Sequence, residues 1–261
     1  MNSKSRRESI AECLRREGEV SITALAVQYG TSEMTIRRDL DLFVADGVAR
    51  RTRGGAISVQ TRSFEPPILK RSAHMADAKK RIGVAAASLL RENESVVLDV
   101  GTTTHAMARA IRDDLSITVI TSSLLIATEL SLRSRVRTLV TGGELRHGEM
   151  SLIGSRAEAS YHDLNCDTMF LGVAGVSDTK GLTEYNVDDA QVKRAAIACA
   201  QRIVVLADAS KIGQVALVTV APMRVVDLLI TDASPHDDVI KRIRDEGIDV
   251  LHVGHVEKER E

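Results

Sequence analysis

Two arginines stand side by side in the stretch TSEMTIRRDL, residues 31 to 40, and their type and placement suit one demanding chemistry. A guanidinium can donate two hydrogen bonds at once to the O6 and N7 edge of guanine, a contact that discriminates between bases by about 1–3 kcal/mol. Arg37 and Arg38 can do this only from the exposed side of a helix. Ile36, Leu40 and Phe43 recur at helical spacing and claim the opposite side, so Glu33, Thr35, Arg37 and Arg38 are expected to point away from the core. The plain alternative is an ion pair between Arg37 and Asp41 one turn on, with Arg38 solvated. A second burst of positive charge, Arg50, Arg51 and Arg53 in RRTRGG, follows closely and favours a polyanion as partner.

A different chemistry gathers further along. VVLDVGTTTHAMARAI reads as strand, turn and helix; Gly101 permits a tight turn, and the amides and hydroxyls of Thr102, Thr103 and Thr104 would face an anion at a helix N-terminus. Alone, such a turn is an ordinary connection. Other strand ends add to it: Thr121, Ser122 and Ser123 in VITSS, Gly142, Gly143 and Glu144 in TGGELR, Gly172 and Gly175 in LGVAGV, and Asp208, Ser210 and Lys211 in VLADASK. Donors for a phosphate, and the carboxylates of Asp99 and Asp208 for hydroxyls, together suit a phosphorylated polyol.

These residues need a scaffold, and the bulk properties limit which one. The chain has 261 residues, a net charge of -1, 44% hydrophobic and 27% charged residues. That is enough apolar material for one large domain and a small companion. Aromatics are 2% of the chain and Trp is absent, which excludes recognition of single strands by base stacking. Cys13, Cys166 and Cys199 are scattered and odd in number, as expected of core thiols in a reducing compartment. The polar N-terminus lacks an apolar leader core, and IGVAAASLL is too short to span a bilayer, so the expected location is the cytoplasm, with no membrane partner.

The small companion comes first. Ile10 and Leu14 mark an amphipathic helix over 6–16; Ser21 caps a second helix carrying Ile22, Leu25 and Ala26; Gly30 ends it, and Ser32 caps the third. Asp46-Gly47 marks a turn, and VARRTRGGAI predicts two short strands around a Gly-Gly tip. This order is that of a winged helix-turn-helix over 1–57, with the third helix as reader and the hairpin as wing. Residues 58–75, with Pro66-Pro67, are expected to be a linker. From 76 to 261, helical patterns alternate with VVLDV, ITVIT, VRTLV, DTMFLGV, RIVVLAD, VDLLIT and IDVLHV, which predicts an α/β domain with a mainly parallel sheet covered on both faces. Ligands of such sheets bind at the carboxyl ends of the strands.

SITALAVQYGTSEMTIRRDLDLFVADGVARRTRGGA resembles the N-terminal winged helix of the DeoR family of bacterial transcription regulators, whose hallmark is Ser-x-x-Thr-Ile-Arg-Arg-Asp-Leu followed by a Gly-Gly-Ala wing. Ser32, Thr35, Ile36, Arg37, Arg38, Asp39 and Leu40 match it position by position, while Arg53 stands where the family usually has His. The DNA-facing set is then Ser32, Glu33, Thr35, Arg37, Arg38, Arg51, Arg53 and Gly54. The resemblance continues to about residue 232 and implies a Rossmann-like C-terminal domain similar to ribose-5-phosphate isomerase, glucosamine-6-phosphate isomerase and CoA transferases. It further implies a sugar-phosphate effector that changes operator affinity, with Asp99, Gly101, Thr102, Thr103 and Thr104 as phosphate loop, Thr121 to Ser123 as a second turn and Lys211 as the family lysine. Gly142, Gly143 and Gly175 complete the expected effector site. Ser122 and Ala209 replace the more common Asn and His, which bears on which sugar is bound.

Asp188, Asp189, Lys193 and Arg194 in YNVDDAQVKRA read as charges on a solvated helix face, and His252 and His255 as surface residues without a third metal ligand. The chain contains no Gly-x-Ser-x-Gly, Walker A or zinc-protease motif. The expected protein is a non-enzymatic repressor of a sugar operon without a cofactor, a dimer or tetramer on double-stranded operator DNA. The rival is a sugar-phosphate isomerase fused to a DNA-binding module, with Asp99, Asp208 and Glu144 as candidate bases.

Overall fold

A computed structural model describes residues 3–45, 48–58 and 62–254. The turn expected at Asp46-Gly47 and the histidine at 255 lie outside the described residues. The chain divides into two units, Met1–Phe64 and Glu65–Glu261.

In the first unit, α1 (Ser3–Glu17) buries Ile10 and Leu14, β1 (Glu19–Ser21) follows, and α2 (Ile22–Gln28) starts with the Ser21 side chain accepting the Ala24 N–H. α3 (Glu33–Ala45) buries Ile36 and Leu40, with the Ser32 hydroxyl accepting the Thr35 N–H at 3.2 Å. Phe43, expected in the core, is half-buried at its margin. Asp39 lies on the inward side of α3, where its carboxylate accepts the Arg6 Nε–H at 2.7 Å and so ties α1 to α3.

β2 (Ala49–Arg51) and β3 (Gly55–Ser58) form the expected antiparallel hairpin, but β1 adds to the other side of β3, so the wing belongs to a three-stranded sheet. Three residues of β1 are too few to show a period in sequence. The two glycines also separate in role: Gly54 is exposed at the tip, whereas Gly55 is buried in β3 opposite Ser21. A Cβ on Gly55 would sit 1.8 Å from the Val20 carbonyl oxygen, so only glycine allows this pairing.

The second unit opens with α4 (Ile68–Ala73), which starts directly after Pro67, and α5 (Ala76–Ala87). Thus the stretch read as linker contains a helix, and its residues from Glu65 onward belong with the larger unit. There follow β4 (Ser95–Leu98), α6 (Thr102–Ala110), β5 (Ile117–Thr121), α7 (Leu124–Leu130), β6 (Val136–Val140), β7 (Glu144–Arg146), β8 (Ser151–Ile153) and α8 (Ser155–Ala159). β9 (Cys166–Gly172), β10 (Gly175–Ser177), β11 (Gly181–Glu184), α9 (Val187–Ala198), β12 (Ala200–Leu206), β13 (Val218–Ala221), β14 (Leu228–Thr231), α10 (Asp238–Asp245) and β15 (Asp249–His252) complete it.

The seven strands expected from the apolar runs form one parallel sheet in the order β15-β14-β12-β9-β4-β5-β6. Its side chains alternate between two cores. Val96, Leu98, Val119, Phe170, Val204 and Leu206 pack with Ile82, Met107 and Ile126 of α5, α6 and α7. Val97, Ile120, Met169, Leu171, Ile203 and Val205 pack on the other face with Ala157, Val192 and Ile240 of α8, α9 and α10. The unit is therefore a Rossmann-like layered fold, with five short antiparallel strands added as β7-β8 and β10-β11-β13. From β4 the chain steps outward to β5 and β6, then returns to β9 on the other side of β4. The carboxyl ends of β4 and β9 therefore flank a topological switch point, where open sheets hold their ligands.

Candidate functional site

On α3, Arg37 and Arg38 are exposed on the side opposite Ile36 and Leu40. Arg38 has no ion-pair partner among the described residues. Arg37 does not pair with Asp41; its Nη2 lies 3.5 Å from Glu33 one turn back, and Asp41 instead receives Arg51 at 2.9 Å. Arg51 also donates to the Arg37 carbonyl at 3.1 Å, which fastens β2 of the wing to α3. Glu33 accepts from Thr23 of α2 at 2.9 Å, and the Ser32 and Thr35 hydroxyls bond each other at 2.9 Å. So Ser32, Glu33 and Arg51 fix the frame, while Arg38 and the tip residues Arg53 and Gly54 face solvent.

At the switch point of the second unit, Asp99 follows β4 and is buried. Its carboxylate accepts the Gly172 N–H at 3.0 Å and an ammonium proton of Lys193, which also donates to the Gly172 carbonyl at 2.8 Å and lies 3.3 Å from Glu184. Burial raises the Asp99 carboxyl to about 6 against the opposing pull of Lys193, and the like charge of Glu184 adds to the rise. Burial pulls the Lys193 ammonium down, but Asp99 and Glu184 outweigh it and hold it above its ordinary value.

Gly101 (φ +138°) directs the chain into α6. The first turn of a helix has no intrahelical acceptors for its N–H groups, so those of Thr102, Thr103 and Thr104 are presented at the carboxyl end of β4. The Thr104 hydroxyl is not part of that array: it is buried and donates to the Gly101 carbonyl at 2.9 Å.

Two strands away, Asp208 is fully buried after β12. Its Oδ1 accepts from the Ser210 N–H and hydroxyl, whereas Oδ2 accepts no hydrogen bond. Lys79 of α5 lies 3.9 Å from that oxygen and donates to the carbonyls of Arg71 and His74; burial lowers its ammonium to about 8 against the pull of Asp208. Lys211 is half-buried, its Nζ 5.7 Å from the centre of the Tyr185 ring.

Other expected effector residues turn out to build the frame. The Thr121 hydroxyl accepts the Ser123 N–H, Ser123 caps α7, and β8 covers this turn through the Leu152 N–H to Ser122 carbonyl bond at 2.8 Å. The Gly142 N–H is taken by the Ser160 hydroxyl, and a Cβ on Gly143 (φ +123°) would meet the Ile153 carbonyl at 2.5 Å. Gly175 lies in β10, where a Cβ would meet the Gln214 carbonyl oxygen at 2.3 Å. Gly143 and Gly175 permit close backbone packing, whereas a Cβ on Gly142 would make only ordinary contacts, at 3.6 Å or more. Glu144, a candidate base, is exposed on β7.

Residues 6–62 match the DeoR-like helix-turn-helix domain, and residues 74–233 match the DeoR C terminal sensor domain. The chain belongs to the DeoR family. Relatives include the nominal aga operon transcriptional repressor of Escherichia coli O157:H7, 34% identical over 97% of this chain and 94% of that one. The glycerol-3-phosphate regulon repressor of Escherichia coli K12 is 29% identical over 95% of this chain and 98% of its own length. Among solved structures, a ribose 5-phosphate isomerase A of Methanocaldococcus jannaschii overlaps 53% of this chain and 55% of its own at 18% identity and a TM-score of 0.40, a partial likeness that decides nothing about ligand or activity.

For a DeoR-family sensor, the residues underweighted from sequence are those of α9. Asp189 and Lys193 are buried rather than solvated, while Asp188 of the same run is exposed and Arg194 is held by the Thr219 and Val220 carbonyls. The signal was present: Asp189, Val192, Lys193 and Ala196 recur at i, i+3, i+4 and i+7, one inward stripe in which charge replaces two apolar positions. No helix among the described residues is long and apolar enough to cross a membrane, and no group of His, Cys, Asp and Glu among them could hold a metal ion.

Proposed function

We propose that this protein represses a sugar-catabolism operon as a cytoplasmic homo-oligomer, reading paired operator half-sites with α3 and releasing them when a phosphorylated sugar occupies the carboxyl edge of the seven-stranded sheet. The observation that carries the reading is the exposure of Arg37 and Arg38 on the face of α3 opposite Ile36 and Leu40, beside a wing tip bearing Arg53. The relatives named for operon and regulon repression support the same direction.

Within the sensor, the first-turn amides of α6 with the Lys211 ammonium would take the phosphate, and the second oxygen of Asp208, which accepts no hydrogen bond, would take a sugar hydroxyl. Asp99 has its partners already, and its part is to hold the floor of the crevice through Gly172 and Lys193.

The test is a melting screen of the full chain against triose, pentose and hexose monophosphates with inorganic phosphate as control. At a hundredfold excess over Kd a bound effector contributes about 2.7 kcal/mol, a rise of roughly 5–10 °C for a unit of this size. Loss of affinity for a DNA fragment selected by the wild type from a random library should accompany that rise. A panel without any stabilising sugar phosphate would refute the effector assignment.

One observation favours a second reading, isomerisation of the bound sugar phosphate: the Asp99 carboxyl, raised to about 6, has the tuning of a general base. Its engagement by Lys193 and the Gly172 N–H argues for no turnover in an isomerase assay.

A further inference from the structure

Glu65 directly follows Phe64, the last residue of the DNA-binding unit, and is far from a loose tether. Its carboxylate lies 3.0 Å from Arg71 and 2.5 Å from Arg146, with only 11% of the side chain exposed. Arg71 continues to Glu149 and Arg146 to Asp189, which also accepts from the Ser151 hydroxyl at 3.3 Å. Asp189 sits one turn before Lys193 on α9, and Lys193 holds Asp99 at the switch point. At the other end of the same segment, Lys79 fastens the Arg71 and His74 carbonyls and faces Asp208. Residues 65–79 are thus pinned at two places to elements that carry the carboxyl-edge crevice.

We propose that this segment is a strap that transmits occupation of the crevice to the chain leaving the DNA-binding unit, with Arg146 as its positioning residue. The inference rests on the effector reading above.

Three carboxylates, Glu65, Glu149 and Asp189, share two guanidiniums here. Such a set is a poor means of stabilising a fold, because desolvation offsets most of the attraction, and apolar residues of the same size serve as well. It is a good means of holding one of two arrangements. Arg146 spans Glu65 and Asp189 with two different nitrogens, so a shift of α9 reaches Glu65 through one planar group. Two of the three Lys79 ammonium protons go to carbonyls, and Asp208 stands beyond hydrogen-bond distance at 3.9 Å. A sugar hydroxyl donated to that Asp208 oxygen would therefore weaken the pull of the carboxylate on the lysine that secures the strap.

The experiment compares the full-length wild type with Arg146→Met and Glu65→Gln, the second keeping its shape should the first fail to fold. Two quantities are read for each: melting shift with the sugar monophosphate panel, and Kd for the selected DNA fragment with and without the strongest stabiliser. The expected result is a retained melting shift with the effector-induced change in DNA affinity, 5–150-fold in a coupled protein, cut to under twofold. The double variant should be no worse than either single one, since breaking one link of a chain suffices. By reciprocity the effector should bind these variants equally with and without DNA. A purely structural role would lower melting temperature and effector affinity together. Normal release of DNA by variants that bind effector normally overturns the strap; absence of any stabilising sugar phosphate on the wild type overturns the effector reading and the strap with it.

Discussion

Replacing Arg38 by Ala isolates the recognition helix from everything else in the molecule. The side chain is exposed and has no ion-pair partner among the described residues, so its loss should change stability by less than about 0.5 kcal/mol. A two-pronged contact to guanine is worth about 1–3 kcal/mol, which corresponds to a loss of roughly 5- to 150-fold in affinity. Arg37 offers an internal comparison. Its side chain is 51% exposed and lies 3.5 Å from a Glu33 that is 47% exposed. Such a surface pair contributes about 0.3–0.5 kcal/mol, less than either a base or a phosphate contact, so Glu33 does not keep Arg37 from DNA. Fluorescence anisotropy with the selected fragment, repeated over a range of salt, separates the two kinds of contact. Loss of a phosphate contact lowers the log–log salt slope by about 0.9, whereas loss of a base contact leaves the slope and relaxes preference at one base pair. Arg37→Ala and Arg38→Ala proteins that melt normally and bind within twofold of wild type at every salt concentration would refute the assignment of α3.

Gly55→Ala should detach β1 from β3, because the new methyl carbon would sit 1.8 Å from the Val20 carbonyl; a destabilisation of roughly 3 kcal/mol or more is expected, and a urea melt of the first unit's transition that matches wild type would contradict it. Asp99 should titrate near 6, and the sign of its linkage is unusual: the folded group takes up its proton at a higher pH than the unfolded one, so its unfavourable contribution, up to about 3 kcal/mol above pH 6, is relieved as pH falls from 6 toward 4. Carbon-detected NMR of the Asp99 carboxyl checks this, and a midpoint at or below 4 would sink it.

What could be read from sequence divides along physical lines. Val96 to Leu98, Ile203 to Leu206 and the other apolar runs are buried on both faces of the sheet, so their composition alone marks them as central strands. Ile36 and Leu40 with the Ser32 cap likewise fixed which side of α3 is exposed. The strands β1, β10 and β11 have three or four residues each and owe their existence to partners distant in sequence, so no local period announces them. For the site, type outran role. Thr104, Thr121 and Ser123 are hydroxyl residues at strand ends as expected, yet their hydroxyls serve the local turns. A glycine that approaches a ligand and one that approaches other main chain look identical in sequence, and Gly143 and Gly175 are of the second kind. Lys193 and Asp189 went the other way, because a charge on a helix is solvated unless something distant meets it.

The pairing of Lys193 with Asp99 has a reason that neither stability nor ligand binding alone supplies. At a switch point two adjacent parallel strands send their crossovers in opposite directions, so the ladder between them stops while the backbone at its end is still buried. Here the ladder between β4 and β9 ends with the Asp99 N–H donating to the Phe170 carbonyl at 3.1 Å. The next peptide groups on the β9 side belong to Gly172, and β4 has no main chain left to meet them. Asp99 accepts the Gly172 N–H and Lys193 donates to the Gly172 carbonyl, so one ion pair closes both orphaned groups. Gly172 is where a side chain would obstruct this, since a Cβ would stand 2.9 Å from the Val100 carbonyl. Side chains, rather than another strand, therefore end the ladder between β4 and β9. Both side chains are charged, and Lys193 lies on α9 one turn from Asp189, the partner of the Arg146 that also binds Glu65. An ending built from apolar groups would leave the Gly172 peptide unsatisfied, whereas the ion pair satisfies both its N–H and its carbonyl without a further strand.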